Sequence, residues 1–495
     1  MPKTESAPQP GQSAQSPPVA GGFTDACARR IYLMPELPPE VVAVAFAKTS
    51  RSPEPFDQIA AELTETASAK FHEKWVVGYG HASVAEHAVL SLAVENVSIL
   101  AAKAIEDNRL ASYTEKSTRY QVYDPRRVYR PASFESAPKL RQQYEQLVTT
   151  LLEAYQAWHQ RAYEWLKATD PRPSDEPEKA WESRLRAKAC DSIRYLLPAS
   201  TLTNLGWTVN ARALAAAIRK LAGSDLAELR DIAGDLKTAA LQKVPTLLKY
   251  SDPDLSRSES TRAVVRVLEK VISPPGRDLS HRPSEVQLLS HDQDGLRRLC
   301  CAVSYASQQM EWAGLEDQIS RWSVDDMMAL VRASLAGLGP FDPLPRAFEG
   351  LNYLFEVTVD YGAWRDIQRH RIGTQIAQEL SPDFGYTVPR LVDELGLRAE
   401  FERLAESSAS VYDALRPDFP AEAVYALMLA FRKRTLFNWN LREVFHFVRL
   451  RGTAKGHAAY RKVAVDLWRA IVARQPWLDG LVFPLGPDFR ADAPV

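Results

Sequence analysis

The sequence predicts a helix-dominated α+β protein made of two tandem, diverged copies of one domain. Three observations predict it. Apolar residues recur mostly three or four apart, strand candidates are few and short, and three stretches of the first half return in the same order in the second. A chain of 495 residues is too long for one compact core, and a hydrophobic share of 45% lets each half bury its own.

Taken in order, residues 1–22 are rich in Pro, Ser, Gln and Gly without an apolar core, and read as a disordered tail. Copy 1 is assigned to 23–250. It begins with a short strand candidate at 31–34 (IYLM), followed by a helical stretch at 41–48, and the same succession returns at 286–289 and 296–307. Residues 90–109 (LSLAVENVSILAAKAIEDNR) match 352–371 (NYLFEVTVDYGAWRDIQRHR), and both read as apolar helices ending in arginine. Residues 207–212 (WTVNAR) match 437–442 (FNWNLR), at a smaller separation, so copy 1 carries an insertion before this point. The Pro- and charge-rich run 169–179 has the composition of a surface loop within that insertion. Leu140, Tyr144, Leu147, Val148, Leu151, Tyr155 and Trp158 form a helical stripe whose plain reading is core or interface. Residues 251–282, with Pro274-Pro-Gly276, are the linker, and 283–495 are copy 2.

Bulk numbers bound the function. A net charge of -1 removes the simplest argument for nucleic-acid binding. Four cysteines, none in a C-x-x-C pair, fit neither a disulfide framework nor structural zinc. No apolar run spans a bilayer, so a cytoplasmic protein with no membrane partner is expected.

Three clusters hold chemistry-bearing residues. In 80–87 (GHASVAEH), Ser83-x-x-Glu86 has capping-box spacing, and His81 and His87 lack the i, i+4 spacing of a helical metal pair. In 109–120 (RLASYTEKSTRY), hydroxyls, a carboxylate and arginines suit a phosphate monoester, although a solvated loop has the same composition. Arg369-His-Arg371 either faces an anion or closes a helix C-terminus.

The order G-H-x-S-x-x-E-H, then R-H-R, then E-x-S-x-R, then V-N-A-R resembles the flavin-dependent thymidylate synthases, over about 31–250 and again 286–483. The resemblance implies two thymidylate synthase complementing protein-like domains forming a pseudo-dimer. It implies reductive methylation of dUMP to dTMP, with FAD as cofactor and methylenetetrahydrofolate and NADPH as co-substrates. It also implies a four-domain assembly, here a homodimer of the chain, with each nucleotide site shared between domains.

Neither copy has the whole motif set. Copy 1 matches the loop with Glu115, Ser117 and Arg119, and an earlier arginine with Arg194. Its R-H-R has become Asp107-Asn108-Arg109, and the late arginine Leu221. Copy 2 keeps Arg369, His370, Arg371 and the late arginine Arg451; its loop, Glu379 to Tyr386, has no arginine, and Val424 replaces the earlier one. Pairing copy 2's helix end with copy 1's loop gives a dUMP site of Arg369, Glu115, Ser117, Arg119, Arg194 and Arg451, with Arg451 assigned to catalysis. The opposite pairing is expected to be dead. For FAD the resemblance implies His81, Ser83 and Glu86 from copy 1. From copy 2 it implies Arg369, His370, Arg371, Asn440, Arg442 and His446, the last in place of a family asparagine. In copy 2, Leu344, Arg346 and Glu349 stand at the positions of His81, Ser83 and Glu86. A family glutamine that touches the pyrimidine is Asp366 in copy 2 and Ala104 in copy 1, which opens the choice of nucleotide.

Overall fold

The computed structural model describes residues 29–78, 82–124, 126–249, 251–272, 285–339, 342–453 and 456–481. The tail 1–22, His81 and residues Pro274-Pro-Gly276 of the linker lie outside them.

Helices dominate, around two small antiparallel sheets. In copy 1 the strands are β1 (Val89–Ser98), β2 (Ala111–Glu115) and β3 (Leu202–Asn210), in the order β1-β3-β2. In copy 2 they are β4 (Val286–His291), β5 (Asn352–Asp360), β6 (Thr374–Ala377) and β7 (Arg432–Asn440), in the order β4-β5-β7-β6. Thus β1 and β5, β2 and β6, β3 and β7 correspond, as tandem copies require.

Two sequence expectations change here. The matched stretches 90–109 and 352–371 are each a strand followed by a short helix, Ile99–Glu106 and Tyr361–Ile367. In β1, Leu90 and Val94 are buried while Ser91 and Ala93 are exposed; this is a period of two that the high apolar content of the run obscures. Ser98 and Asp360 switch strand to helix, their side chains accepting from the Ala101 and Ala363 amides at 2.9 and 2.7 Å. The second change concerns residues 31–34, which form no strand; Ile31 is 89% exposed. Among the described residues copy 1 therefore has no counterpart of β4, and its sheet has three strands where that of copy 2 has four.

The long stripe behaves as read. Pro138–Thr169 is one helix, burying Tyr144, Leu147, Val148, Leu151, Tyr155 and Trp158. The Ser251–Arg282 linker contains a 17-residue helix, Leu255–Val271, whose described side chains are exposed, among them Val264, Val267 and Val271.

The two copies share one hydrophobic core, running from Tyr144 and Leu151 of copy 1 to Phe401 and Trp468 of copy 2. A smaller cluster, including Leu205, Trp207 and Leu214, belongs to copy 1 alone. Backbones cross between copies: the Ala199 amide donates to the Leu427 carbonyl at 2.8 Å and the Leu429 amide to the Leu197 carbonyl at 2.9 Å. The segments that cross carry Arg194 and Val424, so this seam brings the two motif sets together.

Candidate functional site

The helix end after β5 and the loop after β2 meet across the seam. Glu115 closes β2 and is 1% exposed as a side chain. Arg365 Nη2 donates to its Oε1 at 2.6 Å, Lys103 Nζ stands 2.8 Å from its Oε2, and Arg369 Nη2 3.7 Å away. Lys103 also pairs with Glu106. Burial opposes ionising Glu115, but these cations outweigh it and hold the carboxyl below its usual range. Glu115 is therefore the buried clasp between the copies and presents no free face to a ligand.

Arg119 leaves the same loop. Its Nε and Nη2 donate to the two oxygens of Asp191 at 2.7 and 2.8 Å, and its Nη1 donates to the Tyr460 hydroxyl at 2.9 Å. Ser117 Oγ accepts from the Arg119 amide at 3.2 Å, shaping the turn. Arg194 is 2% exposed. Its Nη1 donates to Thr118 Oγ1 at 3.3 Å, while its Nε and Nη2 have no hydrogen-bond partner.

Copy 2 supplies the other wall. His370 is buried, with Nδ1 3.0 Å from Glu443 Oε1, and its Nε2 accepts from Arg451 Nε at 3.0 Å. These contacts select the neutral Nδ1–H tautomer, and burial lowers the ring's pKa in the same sense. The ring thereby fixes Arg451, whose Nη2 donates to the Asp366 carbonyl at 2.9 Å. Asp366 is buried among Arg194, Arg369 and Arg451. Burial disfavours its charge, yet the arginines bring its pKa down to about 2. With the clasp counted, six cations (Arg119, Arg194, Arg369, Arg451, Arg365 and Lys103) face four carboxylates, Asp191, Asp366, Glu115 and Glu106. The surplus of positive charge is what a phosphate monoester dianion would balance.

The remaining flavin-side candidates are more dispersed. Arg371 lies over Tyr113 of copy 1 at 4.8 Å, donates to the Ala111 carbonyl at 2.9 Å, and has a buried Nε without a partner. His446 is exposed, 5.5 Å from the His370 ring. Asn440 caps the next helix, its Oδ1 accepting from the Glu443 amide at 2.9 Å, and Arg442 is paired with Glu349 at 2.6 Å. Ser83 and Glu86 lie on a 3-10 turn, Ala82–His87, ahead of β1. Glu86 pairs with Arg212 of its own copy. The capping box expected from Ser83-x-x-Glu86 does not form, because a strand and not a helix follows.

In the opposite pairing, Asp107 is joined to Lys220, Leu221 is core, and Glu379 is exposed. The corner matching Arg194 and Asp360 is closed by Glu228. Its oxygens accept from the Ser98 amide at 2.7 Å, the Ser98 hydroxyl at 2.6 Å and the Tyr425 hydroxyl at 2.7 Å.

Lys103, Arg365, Asp191, His457 and Tyr460 also line the site and belong to none of the motifs quoted above. Lys103 and Arg365 carried a usable signal, being basic residues at matched positions inside apolar runs. His457 and Tyr460 belong to no motif. The His457 ring lies against Tyr195, with centroids 5.9 Å apart, and its Nε2 is 3.2 Å from the Asp191 carbonyl.

Comparison with known proteins gives the same duplication. The family model described as "Thymidylate synthase complementing protein" matches residues 33–246 and again 287–477. A UPF0159 protein of Chlamydia pneumoniae is 31% identical over 423 residues, covering 83% of this chain and 79% of its own. A UPF0159 protein of Thermoplasma acidophilum is 27% identical over 464 residues, covering 86% and 92%. A flavin-dependent thymidylate synthase of Clostridium tetani is 29% identical over 217 residues, 43% of this chain but 83% of its own.

Proposed function

The chain belongs to the thymidylate synthase complementing protein family, and from that premise we propose that it is a flavin-dependent enzyme acting on a pyrimidine nucleoside monophosphate at the site shared by its two copies. The family's own reaction is the reference reading: reductive methylation of dUMP to dTMP with methylenetetrahydrofolate and NADPH. One observation carries the proposal. Arg119 and Arg194 of copy 1 and Arg369 and Arg451 of copy 2 converge with positive charge in excess, and Arg194 keeps two buried donors without partners.

On this reading Arg119, Arg194 and Ser117 take the phosphate, with the ligand competing against Asp191 for the Arg119 fork. Arg451, aimed by His370, reaches the base and is the group assigned to catalysis. Glu115 holds the two walls together. Arg369, Arg371 and His446 form a basic rim that fits an anionic dinucleotide, and the unpartnered Nε of Arg371 is a donor available to it. FAD, when bound there, supplies the hydride chemistry. Glu86 is paired with Arg212 of its own copy, and on this reading the flavin residues of copy 1 serve a cofactor reached from a second chain. Two chains together would restore a four-domain assembly. Leu110 and Ile372, at matched positions beside the two helix ends, are 70% and 77% exposed, which suits such contact.

A second reading, another nucleotide in place of dUMP, is favoured by Asp366, a carboxylate where the family has an amide. The test of the proposal is flavin absorbance of the purified protein, followed by FAD reconstitution and nucleotide titration of the flavin spectrum. A colourless protein that takes up no FAD contradicts it.

A further inference from the structure

We propose that the composite site selects a nucleotide whose base carries an exocyclic amino group, a cytosine-type deoxynucleoside monophosphate, and that Asp366 makes the selection. This rests on the nucleotide reading above and narrows its substrate.

Buried polar atoms at the seam lack hydrogen-bond partners. Arg194 Nε and Nη2 are donors without an acceptor, and Asp366 Oδ2 is an acceptor without a donor. Arg194 Nη2 and Asp366 Oδ2 are 3.7 Å apart, too far to satisfy one another by a hydrogen bond. Buried orphans of both kinds cost free energy unless a ligand supplies the complement. That ligand needs an anion for the guanidinium groups and an N–H donor for the carboxylate.

The donor separates the two pyrimidines. An ionised carboxylate only accepts. A uracil edge presents two carbonyl acceptors flanking a single N3–H, so a carboxylate that approaches it also meets a carbonyl oxygen. Cytosine has an amino group in place of one carbonyl, and aspartate accepts from that N4 amino group. An asparagine or glutamine side chain offers a donor and an acceptor together and, by turning over, meets either pyrimidine edge, so only the carboxylate discriminates. The Asp366 backbone carbonyl is held by Arg451, which ties the helix end carrying this side chain to the same wall as the catalytic candidate.

The experiment titrates full-length, FAD-loaded protein with dCMP and with dUMP, by calorimetry and by the flavin spectrum. The native protein is expected to bind dCMP about tenfold to a hundredfold more tightly than dUMP. Asp366→Asn and Asp366→Gln are each expected to abolish the preference. Equal or tighter binding of dUMP by the native protein overturns the selection while leaving the nucleotide reading in place. Binding of neither nucleotide by protein that holds FAD overturns the nucleotide reading and this inference with it.

Discussion

Replacing Glu115 by alanine removes the carboxylate of the seam's buried clasp, which touches Lys103 of copy 1 and Arg365 of copy 2. Arg365 and Lys103 are 6% and 3% exposed as side chains, and each lies within 2.8 Å of a Glu115 oxygen. The variant leaves two buried cations, of which Lys103 keeps Glu106 and Arg365 keeps no carboxylate in direct contact. Removing one partner of a buried ion pair costs about 3–5 kcal/mol. The matched residue of copy 2, Glu379, is exposed, so Glu379→Ala should stay within about 0.5 kcal/mol. Urea unfolding of both variants, followed by far-ultraviolet circular dichroism, reads the difference. Glu115→Ala should shift the transition strongly to lower denaturant and Glu379→Ala should leave it in place. Equal shifts would refute the asymmetric clasp.

Other outcomes follow from the same geometry. Arg119→Ala and Arg451→Ala, one in each copy, should each weaken nucleotide binding by roughly tenfold to a hundredfold, since each loses a charge-assisted bond worth about 1.5–3 kcal/mol; calorimetry checks both. His457 is buried, and its Nδ1 accepts from the Ala459 amide at 3.2 Å. Burial lowers its pKa from 6.5 to about 4. Between those values the unfolded chain binds the proton and the folded chain does not, so stability is lost as pH falls from 6.5 through about 4. The loss is about 3 kcal/mol, and a comparison of pH-dependent unfolding with His457→Gln should show that part of the slope removed. A Cβ at Gly373 would meet the Trp439 ring and stand 2.9 Å from the Asn438 carbonyl, whereas one at Gly234 would meet nothing within 4 Å. Gly373→Ala should destabilise by about 1–3 kcal/mol, and Gly234→Ala, inside the helix Ala227–Leu241, should stabilise by about 0.5–1 kcal/mol. Thermal melts of the two variants should move in opposite directions.

What was legible in the sequence was whatever repeated. Asn210 and Asn440 both cap helices after matched strands, with their side chains accepting at 2.8 and 2.9 Å, and the complementary losses of arginine placed Arg119 and Arg194 opposite Arg369 and Arg451. Apolar runs were harder, because Leu90 to Ser98 is rich enough in apolar residues to suit either period and only burial on the sheet decides between them. The missing edge strand at 31–34 was illegible for a related reason: the residue types suit a strand, but pairing needs a partner edge that local sequence does not encode. Roles inside the cluster were also hidden. Glu115 and His370 stand in motif positions, yet here one clasps the copies and the other aims Arg451. Both jobs are set by Arg365, Lys103 and Glu443, which no motif includes.

We propose one nucleotide site per chain, built from halves contributed by both copies, with the mirror-related site closed. Calorimetric stoichiometry of pyrimidine nucleotide on FAD-loaded protein tests it most directly. One nucleotide bound per chain is expected, and two per chain would contradict the composite site.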